Sequence, residues 1–444
     1  MSRQFFGTDG IRGQVGQHPM TAEFALRLAS AAARVLAPGG GRVMIGKDTR
    51  VSGYMFESAL EAGFVAAGMD VTLLGPLPTP GIAYMTQASS ADLGVVISAS
   101  HNPYADNGIK FFDRNGGKLS DSVEEAIEAH LGEPAITRDS GALGRAKRLE
   151  TAIEQYQRFC VGTVSGQLRL DGLKVVVDCA HGAGYKVAPR ALTELGAEIV
   201  PIGCSPNGRN INEGCGSTQP ELLTLMVKGV GADIGIAFDG DGDRVVMVDH
   251  LGNLVDGDQI LYVLAADRRQ RGQLDGPVVG TLMSNLGLEI ALGEIGAGFQ
   301  RAKVGDRYVL ELLRETGGKL GGETSGHILC LDKTTTGDGL VTALQVLAVM
   351  RETGRSLADL TAGMRRFPQV LINVRTARRL DLGSSIPVRS AVDRVKGQLG
   401  RRGRVVLRPS GTEPVVRVMV EGEDEGEIRQ LAEQIARVVA DEAA

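Results

Sequence analysis

The chain has 444 residues, 43% hydrophobic and 23% charged, the balance of a soluble globular protein long enough for more than one domain. A formal charge of −5, a pI near 5.8 and 4% aromatics without Trp exclude a nonspecific nucleic-acid binder and a broad stacking platform. Five scattered cysteines with no C-x-x-C pair exclude a disulfide framework and a zinc site and fit a reducing cytosol, and no apolar run approaches the ~18 residues of a membrane helix.

The chain opens with MSRQFFGTDGIRG. This stretch has no apolar h-region, so no secretory leader is expected and the expected location is cytoplasmic. Arg12 makes residues 10–13 a small cationic cluster, and residues 47–50 (KDTR) make a second. Residues 42–46 are β-rich, 54–67 follow a helical pattern and 68–73 return to strand. Residues 41–47 fit the first part of a P-loop. However, Asp48 takes the hydroxyl position and the intervening residues are the strand itself, so that reading is rejected. The apolar run 93–97 then leads into Ser98, Ala99, Ser100, His101, Asn102 and Pro103. Serines at the carboxyl end of a strand stand where open α/β sheets place ligands. Taken alone, a polar exit from the strand is the simpler reading, and G-x-S-x-G is absent, so this is no nucleophile elbow. Lys110 follows a short loop later.

The order strand, helix, glycine, strand recurs over 174–178, 188–195 and 196–200, and again over 277–280, 286–294 and 296–299. Each is a βαβ unit, which implies parallel strands covered by helices. Spacings near a hundred residues imply three similar α/β domains. HGAG at 181–184 follows a strand as a dinucleotide fingerprint would, but Val187 takes the third glycine position, so nucleotide binding is not expected.

Asp239, Asp241 and Asp243 alternate with two glycines directly after the apolar run 232–238. Alternation puts the acids on one side of a tight turn. Carboxylates that close repel one another unless a cation sits between them, and a hard divalent ion with oxygen ligands fits best. An acidic surface turn is the plainer alternative. An EF-hand is excluded, because its Gly and Glu positions hold Arg244 and His250. In GGETSGH, residues 321–327, Glu323, Ser325 and His327 stand at alternating positions on a glycine-released loop. That set suits vicinal sugar hydroxyls, and a capped turn explains it equally well. In RPSGTEP, residues 408–414, Arg408, Ser410, Gly411 and Thr412 make an anion nest with Arg417 on the strand that follows. The alternative is a Ser/Thr turn with a solvated arginine. Strands over 367–374, 404–408 and 415–421 and helices over 386–399 and 425–440 make this last region a small α+β domain.

FGTDGIRG, SASHNP, DGDGDR, GGETSGH and RPSGTEP stand in the order and spacing of the α-D-phosphohexomutase superfamily, which the chain resembles over its whole length. The opening motif and TTTGDG at 334–339 are most similar to its phosphoglucosamine branch. The resemblance implies an α/β fold: three similar α/β domains with mixed, partly parallel sheets plus a C-terminal α+β domain, arranged around a central cleft. The implied domains are a phosphoserine domain at 1–153, a metal-binding domain at 154–253, a sugar-binding domain at 254–368 and a phosphate-binding domain at 369–444. By resemblance Ser100 is the phosphoserine, and Asp239, Asp241 and Asp243 bind Mg2+ together with the Ser100 phosphate. Glu323 and Ser325 read the sugar, with His327 beside them. Arg408, Ser410, Gly411, Thr412 and Arg417 hold the distal phosphate. The family's sugar loop varies at position 324, here Thr324.

A mutase that moves phosphate between C6 and C1 need not carry it across the ring. A phosphoserine donates to one oxygen, the bisphosphate turns over, and the other phosphate returns to serine. That scheme needs one transfer centre, one metal, a sugar loop indifferent to flipping and a separate anion site, and the four motifs offer one each. Lys110, Arg12 and His101 are the nearest groups for charge stabilisation and proton transfer. The implied reaction interconverts glucosamine 6-phosphate and glucosamine 1-phosphate, with glucosamine 1,6-bisphosphate as intermediate and activator, and feeds UDP-N-acetylglucosamine and cell-wall precursors. The implied partner is a small hexosamine phosphate, with no nucleic acid and no membrane; a homodimer is left open. The rivals are a phosphomannomutase/phosphoglucomutase, a phosphatase and a non-catalytic sugar-phosphate sensor. A sensor needs neither Ser100 nor the acidic triad.

Overall fold

Three βαβ units fold into three sheets with one shared strand order, as seen in a computed structural model that describes residues 3–376, 385–409 and 415–443. In the first sheet Gly41–Lys47 lies between Met69–Pro76 and Leu93–Ile97, all parallel, and Asp106–Asp113 runs antiparallel beside Leu93–Ile97. In the second, Lys174–Asp178 lies between Glu198–Ile202 and Ile234–Phe238, with Val245–Asp249 antiparallel at the latter. In the third, Val278–Thr281 lies between Phe299–Ala302 and Leu320–Gly322, with Ile328–Cys330 antiparallel. The three candidate loops, at 98–105, 239–244 and 323–327, are therefore one topological position used three times. Each is the hairpin that leaves the carboxyl end of the third parallel strand, the end where α/β sheets bind ligands.

Leu93–Ile97 and Ile234–Phe238 are buried at every position. Strands covered on both faces read as continuous apolar runs rather than alternating ones. Helix starts are set by side-chain caps. Thr21 accepts from Phe24 N at 3.2 Å, and Asp256 accepts from Asp258 N and Gln259 N, both at 3.1 Å. One expected strand is displaced. Residues 296–298 are the turn, and the strand is Phe299–Ala302. Gly296 has φ +69° and Ala297 N still bonds to Leu292 O, so the chain is closing its helix there.

The last unit is the antiparallel sheet Gln369–Arg375, Val415–Gly422, Gly403–Pro409, with helices Ile386–Leu399 and Glu425–Ala443 packed on it. It has its own apolar core, whereas a single apolar cluster runs through the other three units. Its junction is polar. Asn285 accepts from Phe367 N at 3.0 Å and donates to Phe367 O at 2.9 Å, and the buried Glu421 accepts from Leu286 N at 2.9 Å. Among the described residues no helix is long and apolar enough to cross a membrane.

Candidate active site

Ser100 sits at φ +53°, a left-handed conformation that non-glycine residues rarely adopt. The surrounding hydrogen bonds hold it there. Its carbonyl accepts from Arg50 Nη2 at 2.9 Å and from Asn212 Nδ2 at 2.9 Å, and its N–H donates to Ser98 Oγ at 2.9 Å. Arg50 also donates to the carbonyls of Asn102, Pro103 and Asp106, so one fully buried guanidinium gathers the whole loop. Its charge is balanced by Asp48, 2.8 Å from Arg50 Nε and bonded by Ser98 Oγ at 2.6 Å. Breaking a buried ion pair by removing one partner costs about 3–5 kcal/mol. Arg50→Met is therefore expected to lower unfolding stability by about that much, measured by denaturant titration, with activity falling as the loop loses its shape.

The acidic loop meets this serine directly. Ser100 Oγ donates to Asp239 Oδ2 at 2.6 Å, and Asp239, Asp241 and Asp243 are buried with carboxylate oxygens within 4.8 Å of one another. Burial, then Asp243 and Asp241, push the Asp239 carboxyl well above the usual range. Asp241 Oδ2 accepts from Thr79 Oγ1 at 2.7 Å and Lys110 Nζ at 2.9 Å. Asp241 Oδ1 and Asp243 Oδ1 are buried and accept no hydrogen bond. Three crowded carboxylates, two of them with a buried oxygen that accepts no hydrogen bond among the described residues, fit a hard divalent cation. The HGAG turn supports this loop rather than a nucleotide. Ala183 N donates to Gly240 O at 2.8 Å, and a Cβ at Gly182 would lie 2.3 Å from that oxygen.

Lys110 bonds Asp9 at 2.8 Å as well as Asp241; burial opposes its charge, but Asp241, Asp9 and Asp243 hold it protonated. Arg12 pairs with Asp9 and donates to Ala99 O at 3.4 Å. His101 Nδ1 lies 3.3 Å from Ser100 Oγ, and burial, then Arg244 and Arg12, pull its imidazole down to about 4. His327 is buried with Nδ1 3.6 Å from Asp243 and Nε2 3.4 Å from Asp306. Burial opposes its charge, yet Asp243 and Asp306 raise it to about 9. Both of its ring nitrogens thus face carboxylates. Glu323 Oε1 accepts from Gly305 N at 3.1 Å, Thr324 Oγ1 donates to Asp258 at 2.7 Å, and Ser325 is exposed.

One cleft of about 660 Å³ draws on all four units, with Arg12, Asp243, Arg244, Glu323, Arg408 and Arg417 among its walls. Arg408 and Arg417 face each other across paired strands, and neither buried Nε atom has a hydrogen-bond partner among the described residues. Like charges directly opposite are destabilising unless an anion joins them. Ser410, Gly411 and Thr412 lie outside the described residues. Sequence reasoning passed over Asp9, Lys118, Asp306 and Arg244. Lys118 bonds Asp9 at 2.6 Å and also pairs with Asp306, tying the first unit to the third. Of these, Asp9 and Arg244 stand inside quoted motifs, while nothing in the pattern marks Lys118 or Asp306. The TTTGDG run is a clasp. Gly339 N donates to Gly242 O at 3.0 Å, and a Cβ at Gly337 would lie 2.3 Å from His327 Nε2.

Four family models match the chain, all described as phosphoglucomutase/phosphomannomutase: alpha/beta/alpha domain I over 3–135, domain II over 154–252, domain III over 256–367 and the C-terminal domain over 371–438. A phosphoglucosamine mutase of Legionella pneumophila (strain Lens) is 59% identical over 434 residues, covering 98% of this chain and 95% of its own. One from Cellvibrio japonicus is 56% identical, with 99% of each chain covered. A phosphoglucomutase/phosphomannomutase family protein of Burkholderia thailandensis superposes with a TM-score of 0.82 at 25% identity, over 99% of this chain and 98% of that one. The Aspergillus fumigatus N-acetylphosphoglucosamine mutase, solved with GlcNAc-6P and magnesium, shares the fold at a TM-score of 0.69 and 18% identity, over 99% of this chain and 96% of that one.

Proposed function

We infer the function from a premise that the comparisons establish: the chain belongs to the phosphoglucomutase/phosphomannomutase family. It is an intramolecular phosphotransferase, an isomerase, that interconverts glucosamine 6-phosphate and glucosamine 1-phosphate. The observation that carries this reading is the convergence of Arg12, Asp243, Glu323, Arg408 and Arg417 on one cleft, with Arg12 bonding the carbonyl that precedes Ser100 and Asp243 belonging to the acidic loop that Ser100 bonds. The preference for the amino sugar is supported by the identity of 56–59% to phosphoglucosamine mutases over nearly the whole chain.

In the working cycle Ser100 carries a phosphate. A sugar hydroxyl attacks its phosphorus, the bond to Ser100 Oγ breaks, and a glucosamine 1,6-bisphosphate results. The bisphosphate turns over within the cleft, and its other phosphate returns to Ser100 Oγ. Asp239, Asp241 and Asp243 would hold Mg2+, which when bound neutralises charge on the transferring phosphoryl group. Lys110 and Arg12, both kept cationic by neighbouring acids, stabilise the same charge. His101 serves the proton at Ser100 Oγ. Glu323, with Ser325 and His327 on its loop, reads the sugar, and Arg408 and Arg417, with Ser410, Gly411 and Thr412, hold the phosphate that is not reacting. The domains keep the roles and bounds given above, the product feeds UDP-N-acetylglucosamine synthesis, and the setting is cytoplasmic. The partner in this reading is a small hexosamine phosphate rather than nucleic acid or a membrane.

Side-by-side assays with glucosamine, glucose and mannose phosphates test the reading. The expected result is the highest kcat/KM for glucosamine 6-phosphate, and a preference for mannose 6-phosphate hands the case to the phosphomannomutase rival. Arg417→Ala should weaken glucosamine 6-phosphate binding by about 10- to 100-fold, the scale of one charge-assisted contact of 1.5–3 kcal/mol. Isothermal titration checks it, and an unchanged dissociation constant would place the distal phosphate elsewhere.

A further inference from the structure

Cys179 directly follows the strand Lys174–Asp178, and Cys204 lies two residues beyond the parallel neighbour Glu198–Ile202. Their polar atoms converge on one carbonyl. Cys179 N donates to Ile202 O at 3.1 Å, and the Cys204 thiol donates to the same oxygen at 3.2 Å. Between them Gly203 has φ +60°, and a Cβ there would lie 2.9 Å from Ala180 N, so only glycine lets the two segments approach this closely. The two thiols influence each other, and the contact lowers the Cys204 thiol from its ordinary range while it and burial raise the Cys179 thiol well above its own. Cys179 is fully buried, whereas Cys204 is partly exposed. A reachable, acidified thiol backed by a buried one is the arrangement of an attacking and a resolving cysteine.

The pair adjoins the metal-ligand loop. Cys179 leads straight into Ala180 and His181, at φ +53° and +49°, and then into Gly182 and Ala183, which pack against and bond Gly240 O. Gly240 separates Asp239 from Asp241. We infer that Cys179 and Cys204 form a peroxide-sensitive thiol pair whose closure to a disulfide displaces the 180–183 turn and loosens the acidic loop.

The chemistry balances with hydrogen peroxide as the oxidant. The Cys204 thiolate attacks one peroxide oxygen, the O–O bond breaks, and the other oxygen leaves as water once protonated, giving a sulfenic acid. The Cys179 sulfur attacks the Cys204 sulfur, the S–O bond breaks, and that oxygen leaves as a second water. The two sulfurs lose two electrons in all, and the peroxide gains them.

The test treats the full-length protein with hydrogen peroxide and follows three readouts: peptide mass mapping, turnover, and manganese affinity by titration. The expected result is a peptide linking Cys179 to Cys204 with loss of two hydrogens. Turnover should fall roughly tenfold or more, the scale that an ångström-sized misplacement of reacting groups produces. Manganese affinity should fall with it, and dithiothreitol should restore both. Cys204→Ser and Cys204→Ala should keep basal turnover and resist peroxide. A bridge from Cys179 to Cys215, an oxidised pair with unchanged turnover and manganese affinity, or a Cys204→Ser variant inactivated as fast as wild type would each overturn the inference. Mapping and manganese titration need no sugar, so an error in the substrate assignment shows up separately.

Discussion

Ser100→Ala is expected to fold normally and lose nearly all mutase activity, roughly 10⁴-fold or more, as removal of a covalent nucleophile does. The folding half of that expectation comes from how the loop is held. Arg50 and Asn212 bond its carbonyls, and Ser98 accepts from its N–H, so none of these contacts uses the Ser100 hydroxyl. The substitution also leaves a Cβ residue at φ +53°, so the backbone cost is unchanged. The activity half follows from Oγ alone, which is 2.6 Å from Asp239 Oδ2 among the crowded carboxylates. The assay should supply glucosamine 1,6-bisphosphate, because a free bisphosphate can rephosphorylate a serine but cannot replace one. Turnover within tenfold of wild type under those conditions would remove Ser100 from the reaction.

What the sequence disclosed depended on whether the chemistry was local. The acids of DGDGDR are neighbours in the chain, so their crowding was legible before any fold was known, and the buried oxygens of Asp241 and Asp243 that accept no hydrogen bond among the described residues express the same crowding. The βαβ repeat was legible because strands covered on both faces are unbroken apolar runs. That the three loops share one hairpin position was not, because it depends on which strand turns antiparallel, and short strands such as Leu320–Gly322 and Ile328–Cys330 carry little pattern. The 47–50 stretch read only as a cationic cluster, with no partner assigned. Its Arg50 is instead fully buried, bonded to backbone carbonyls that sequence reading cannot see. His327 was read for sugar hydroxyls, and the fold turns both its nitrogens toward carboxylates, Asp243 of the second unit and Asp306 of its own, which no motif marked. Lys118 is likewise defined only by the acids that distant segments bring to it.

Asp239→Asn should reverse sign with metal. Burial and the repulsion of Asp243 and Asp241 raise the folded-state pKa of Asp239 above its unfolded value of about 3.9. A raised pKa means that the folded chain binds this proton more tightly than the unfolded chain does. The group therefore stabilises the fold only at low pH, and above the folded pKa the full cost of its charge is borne by the native state. Asn removes that charge and keeps an oxygen for Ser100 Oγ–H. Without metal at neutral pH the variant should melt higher than wild type, by roughly 2–4 °C for each kcal/mol of repulsion relieved. With magnesium the order should invert, because wild type gains RT ln(1 + [L]/Kd) from a bound ion and the variant, one ligand short, gains little. Turnover should fall roughly a thousandfold, corresponding to about 4 kcal/mol of lost charge stabilisation. Calorimetric scans in EDTA and in magnesium, paired with turnover in the same buffers, read all three effects. Wild-type turnover that survives EDTA would take the metal out of the reaction, and a variant that melts lower in EDTA would mean that Asp239 stabilises the metal-free fold rather than straining it.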